Sequence, residues 1–149
     1  MSRIDFYLIT EPEWIDKLRL TCRLLEKAYE QNRQVFVCVE TSAQASQLND
    51  LLWTFKDISF IPHRLIGEPC TITPPIQIGY EATLPDHRDI FISLCDKFLE
   101  IASQFDRVIE IISPDPASER KKLDHTHFFK AKGFTINSYD LRNKTSPSA

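Results

Sequence analysis

The residues best equipped for chemistry are few, and their spacing works against each obvious reaction. Asp124-His125-Thr126-His127 offers two imidazoles and a carboxylate in a short run. On a helix, two residues two apart point about 200° away from each other, so the histidines cannot share one ion. No Cys or His cluster follows nearby to complete a metal site. The run therefore reads as solvated helix histidines, and no metal is expected. Cys95 beside Asp96 could be a thiol activated at a helix start, but no glycine elbow or base partner accompanies it, and a packed cysteine is the better reading. Phosphate cradles need glycines where a strand turns into a helix. The chain has only three glycines, Gly67, Gly79 and Gly133, and none stands at such a turn. The turns that do occur, around Thr10-Glu11-Pro12-Glu13, Glu40-Thr41-Ser42, Leu94-Cys95-Asp96 and Ser113-Pro114-Asp115, each carry a carboxylate where a phosphate would sit. No cofactor is expected.

Two features suit binding better than catalysis. On a helix from Thr41 to about Phe55, Ala45, Leu48, Leu52 and Phe55 form the apolar stripe. Trp53 falls about 140° from its centre, among Ser46, Asn49 and Asp50. A large aromatic on a polar face is either a partner surface or is covered by the proline-rich segment that follows; Phe60 lies close enough to join it. The second feature is apolar Ile111-Ile112 followed by Arg120-Lys121-Lys122 on the next helix. Such a run is either a solvated face or, beside an apolar strand end, a seat for an acidic peptide with a hydrophobic terminus.

The elements that would position these residues alternate. Residues 4–9, 35–39, 90–94 and 108–112 are short apolar runs of strand length, and 134–136 alternates as a last strand. Between them lie amphipathic helices with readable ends. Thr10 and Glu13 form one capping box, Thr41 and Gln44 a second, and Asp96 caps a third helix. Asp115-Pro116 opens the last helix and Gly133 stops it. Strand, helix, strand is the pattern of an α/β domain with a mainly parallel sheet. Five of the nine prolines lie between Pro62 and Pro85, which reads as loop with a short edge strand around Ile76-Gln77-Ile78.

At 149 residues the chain is one domain, residues 1–142, with a small polar tail at 143–149 expected to be disordered. A net charge of −3 argues against direct nucleic-acid binding through a broadly basic surface. Four cysteines without a CxxC pair, a start (MSRIDFYLIT) unlike a secretory leader, and no apolar stretch near the ~20 residues that span a bilayer point to a reducing cytoplasm and no membrane.

Phe6-Tyr7-Leu8, Trp53, Ser59-Phe60-Ile61-Pro62-His63, Arg88-Asp89-Ile90-Phe91-Ile92-Ser93-Leu94 and Lys130-Ala131-Lys132-Gly133-Phe134 resemble, in order and spacing, the chi subunit of bacterial DNA polymerase III. The resemblance runs from about residue 4 to 140. It implies a three-layer α/β/α domain without catalytic residues, pairing one-to-one with the psi subunit in the clamp-loader complex of the replicase. It also implies that another surface binds the acidic C-terminal tail of single-stranded DNA-binding protein (SSB). Trp53 and Phe60 match the aromatic positions used toward psi, and toward a helicase that competes for the same surface; Pro62 and His63 belong to the same motif. Ile112 matches the apolar socket for the tail. An ungapped match puts Leu123 where the family has an arginine and Glu119 where it has a lysine, so Arg120, Lys121 and Lys122 would have to supply the charge from shifted positions. The competing reading is a small α/β enzyme with its site at the carboxyl ends of the strands.

Overall fold

The structure is a computed structural model that describes residues 2–10, 13–54, 63–65, 74–80, 85, 87–94 and 99–140, with the backbone alone at 53–54, 63–65 and 99. Seven strands form one sheet: β1 (Arg3–Leu8), β2 (Val35–Cys38), β3 (His63–Leu65), β4 (Ile76–Gly79), β5 (Ile90–Ser93), β6 (Arg107–Ile112) and β7 (Thr135–Asp140). Their order across the sheet is β3-β4-β2-β5-β6-β1-β7, and every pairing is parallel. The mainly parallel sheet expected from the alternation is thus wholly parallel among the described residues. The segment around Ile76 is corrected: β4 is an interior strand, buried at all four positions. The three-residue β3, inside the stretch taken for loop, pairs along its outer side. Its first residue, His63, was read only as part of a motif.

Among the described residues four helices cover the sheet: α1 (Trp14–Glu30), α2 (Ser42–Thr54), α3 (Leu99–Ala102) and α4 (Pro116–Ala131). Alternating strand residues sort into two cores. On one face Leu18, Cys22 and Leu25 of α1 and Leu48 and Leu52 of α2 pack on Val35, Val37, Ile90, Ile92 and Ile109. On the other, Ala102 and Phe105 from the α3 turn and Phe129 of α4 pack on Phe6, Phe36, Phe91, Val108 and Ile112. Helices on both faces of one sheet make three layers. The second core is aromatic, with Phe105 against Phe91 at 5.1 Å and Phe129 against Phe134 at 4.9 Å between ring centroids. Burial of each such ring contributes roughly 1.5–3 kcal/mol. Cys22 and Cys38 are buried thiols outside any disulfide, and burial pushes the Cys22 thiol up to about 12; Cys70 and Cys95 lie outside the described residues.

The helix ends test the capping signals one at a time. At α2 the Thr41 cap holds, with the Gln44 N–H donating to Thr41 Oγ1 at 3.2 Å, but the return bond of the box shifts by one residue, Gln44 Oε1 accepting from the Glu40 N–H at 2.8 Å. At α4 Asp115 accepts from the Ser118 N–H at 2.8 Å, with Pro116 at the first helical position. At α1 the box fails. Glu13 is extended, with ψ 146°, so it is the cap itself and makes no side-chain cap bond. An extended Glu13 cannot be the third helical residue after Thr10, and the helix starts at Trp14. The Asp96 cap lies outside the described residues, as does the tail from 141 onward.

Candidate functional site

The helix that follows β6 and the helix that follows β1 pack on opposite faces of the sheet. The carboxyl ends of these adjacent strands therefore form a switch point, where α/β domains leave a crevice. α4 begins there. Its three consecutive cations step about 100° apart around the helix and so cannot share one direction.

The structure divides them accordingly. Lys121 and Ile112 line a small depression of about 40 Å³, together with Ser93, Ser118 and Lys17 of α1. Arg120 and Lys122 line a larger groove of about 450 Å³ with Leu8, Pro116, Glu119 and Leu123. Leu8 and Ile112 are register partners on β1 and β6, so each depression reaches the carboxyl end of the same strand pair. Ile112 is only 3% exposed and belongs chiefly to the core, reaching the surface at its rim. Leu123, by contrast, is 60% exposed, the largest exposure among the large apolar side chains of the described residues. Thus the positions where the family match expects a lysine and an arginine, 119 and 123, do line a groove with two cations. Lys122 also sits over the Phe6 ring, Nζ to centroid 5.1 Å. A cation–π contact of this kind fixes the ammonium near Leu8 without neutralising it.

Asp115 closes the N-terminus of α4 with its own carboxylate. Hydrogen bonds from the Ser118 N–H and hydroxyl hold it below the usual carboxylate range, with Lys17 and Lys121 adding to the effect. Lys17 is the site residue that sequence reasoning missed. It is about a hundred positions from Lys121, and only the β1–β6 pairing brings it there.

His125 corrects the reading of solvated histidines. It is 4% exposed, and its Nδ1 lies 2.6 and 2.8 Å from the two carboxylate oxygens of Glu110, itself 5% exposed, on β6. The pair pins α4 to the sheet beneath the small depression. His127, two positions on, is exposed as expected. Among the described residues no three His, Cys, Asp or Glu side chains are grouped to hold a metal ion. No described helix is long and apolar enough to cross a membrane.

The residues expected to face psi are only partly placed. Trp53 is the penultimate residue of α2 and His63 opens β3, each described as backbone alone, and Phe60 and Pro62 lie outside the described residues.

A family model described as "DNA polymerase III chi subunit, HolC" matches residues 1–137. The chain belongs to this chi-subunit family. Its place is therefore among the subunits of DNA polymerase III, in DNA replication. The DNA polymerase III subunit chi of Pseudomonas aeruginosa is 33% identical over 141 residues, covering 95% of this chain and 98% of the relative. That of Escherichia coli K12 is 26% identical over 143 residues, covering 93% and 97%. Among solved structures, "Mss116p DEAD-box helicase domain 2 bound to an RNA duplex" is similar at a TM-score of 0.58 with 12% identity. That match covers 96% of this chain but only 65% of the other, and it shows a shared α/β fold alone. The chi family thus accounts for the ordered motifs.

Proposed function

We propose that the chain is a non-catalytic, cytoplasmic adaptor of the DNA polymerase III holoenzyme. In this reading Trp53, Phe60, Pro62 and His63 hold the psi subunit as a heterodimer, on a surface that a helicase also uses. The α4 region takes the acidic C-terminal tail of SSB and so links that protein to the clamp loader. The observation that carries the tail assignment is the groove in which exposed Leu123 and buried Leu8 stand beside Arg120 and Lys122. A peptide ending in a hydrophobic residue with a free carboxylate needs just such an apolar wall and cations. Around the corner, Lys121 and Lys17 serve the acidic residues further from that terminus, and Ile112 supplies the apolar socket at their rim.

The test has two arms. A peptide copying the tail is titrated against wild type and against Arg120→Glu with Lys122→Glu; the double variant binds at least tenfold more weakly, and unchanged affinity rejects the groove. Separately, Trp53→Ala loses co-purification with psi while its melting temperature stays near wild type. Retained pairing rejects the psi surface.

A further inference from the structure

A further slot lies away from the α4 depressions. It has a volume of about 680 Å³ and runs between the flank of α1, at Leu24, Lys27 and Gln31, and a floor made by β6, β1 and β7. At one end Tyr7 and Tyr139, register partners on β1 and β7, stack with ring centroids 5.0 Å apart and planes at 26°. Tyr139 is 42% exposed, so one aromatic face is open. Burial raises the Tyr7 phenol above its ordinary range, which keeps it neutral. At the other end stand Arg3, Arg107 and exposed Lys27. Beneath them Asp5 is wholly buried and takes Arg107 at 2.8 Å, Arg3 at 3.6 Å and the Asn137 amide at 3.0 Å. Two guanidinium groups on one carboxylate leave a net positive charge, to which Lys27 adds; Asp140 offsets part of it at the tyrosine end.

A stacked aromatic pair with one open face, in line with cations, is the chemistry that holds a single strand of nucleic acid: bases stack and phosphates meet the cations. Tyr7 lies four steps along the strand from Arg3, about 13 Å at the usual rise. That exceeds the reach from a base to its own phosphate and suits two or more linked nucleotides better than a lone monophosphate. The strand-to-helix turns, with their repelling carboxylates, are not involved, because the slot lies along the side of α1. We infer that the Tyr7–Tyr139 slot binds a short single-stranded nucleic acid, with a base on Tyr139 and phosphates at Lys27, Arg3 and Arg107. The overall charge of −3 makes this binding weak. It is independent of the psi and tail assignments.

The test is fluorescence anisotropy of a labelled oligothymidylate ten nucleotides long at low salt, with the full chain. Wild type binds, and affinity falls as salt rises with a slope set by about two phosphates. Tyr139→Ala loses on the order of tenfold, as for removal of one stacking platform; Tyr139→Phe, which keeps the ring, binds as wild type. Lys27→Glu weakens binding and flattens the salt slope. Both positions are exposed, and unchanged melting curves confirm that the variants fold. No binding at low salt, or equal binding by Tyr139→Ala, overturns the proposal. So does displacement by thymidine monophosphate as effective as by the strand, which makes the slot a nucleotide pocket. Equal displacement by polyglutamate also overturns it, since the slot would then be a peptide seat.

Discussion

Glu110 and His125 carry charge or strong polarity where the surroundings are apolar, so each depends on the other. Truncating one partner of a buried pair leaves the other unsatisfied and costs about 3–5 kcal/mol, whereas replacing both by apolar groups is often neutral. His125→Leu is therefore expected to lower unfolding stability by about 3 kcal/mol, with Glu110→Leu added in the same chain recovering most of it. Urea titrations of the three proteins check this, and additive losses would mean that the two residues do not act as a pair. Leu123 is the opposite case: an apolar residue in open solvent where the family match expects a cation. In the tail reading Leu123 is the exposed part of the apolar wall, so Leu123→Ser weakens peptide binding by about 1.5 kcal/mol, near tenfold. Isothermal titration with the tail peptide reads the change, and unchanged binding would show that Leu123 is not part of the wall.

The helices show which signals survive the passage from sequence to structure. Asp115 and Gly133 at the two ends of α4 were legible because caps are local. The Asp115 bond spans three residues, and the far end closes with Gly133 N–H on the Lys130 carbonyl and Phe134 N–H on the Phe129 carbonyl, at 3.1 and 3.0 Å. Phe134 then packs back on Phe129, the hydrophobic contact that accompanies this turn. Thr10 carried the same letters and caps nothing, because the backbone at Glu13 is extended. What is not local was not legible. That β4 is interior depends on β3, three residues long among prolines, and that His125 is buried depends on Glu110 fifteen positions earlier on another element. The three basic residues of α4 were found as a run, yet the helix turns them to two separate depressions, and Leu8 and Lys17 join them only through strand pairing. Gly133 has φ +86°, and an added Cβ would meet no atom within 4 Å. Gly133→Ala is thus expected to cost about 1 kcal/mol from backbone strain alone, visible in thermal melts as a small uniform loss. A loss several times larger would mean that packing, not conformation, decides the turn.

At the scale of the whole domain, the amino ends of the strands are tied by charge while the carboxyl end of the β6–β1 pair carries the α4 depressions. Asp5 joins β1 to β6 and β7, and Asp89, just before β5, takes Arg33 and the Gln34 N–H at the entry to β2. The Arg33–Asp89 contact is bidentate through Arg33 Nε and Nη2. The Arg33 hydrogen bond is the main reason the Asp89 carboxyl is held below its usual range, and the Gln34 N–H supports it. Arg33 is 39% exposed, so solvent screening limits the pair to about 1 kcal/mol. A carboxyl with a depressed folded value contributes stability that is fully present above its unfolded value, near 3.9, and disappears as pH falls through the folded value. Asp89→Asn, which mimics the protonated acid, should therefore be less stable than wild type by a constant margin between pH 7 and about 5, and the two should converge below about pH 4. Denaturant titrations across that range measure the margin directly. A gap that persists undiminished well below the folded value, or widens in acid, would show that the charge on Asp89 is not what fastens the β2 entry to β5, leaving the shape of the bidentate contact as the source of its stability.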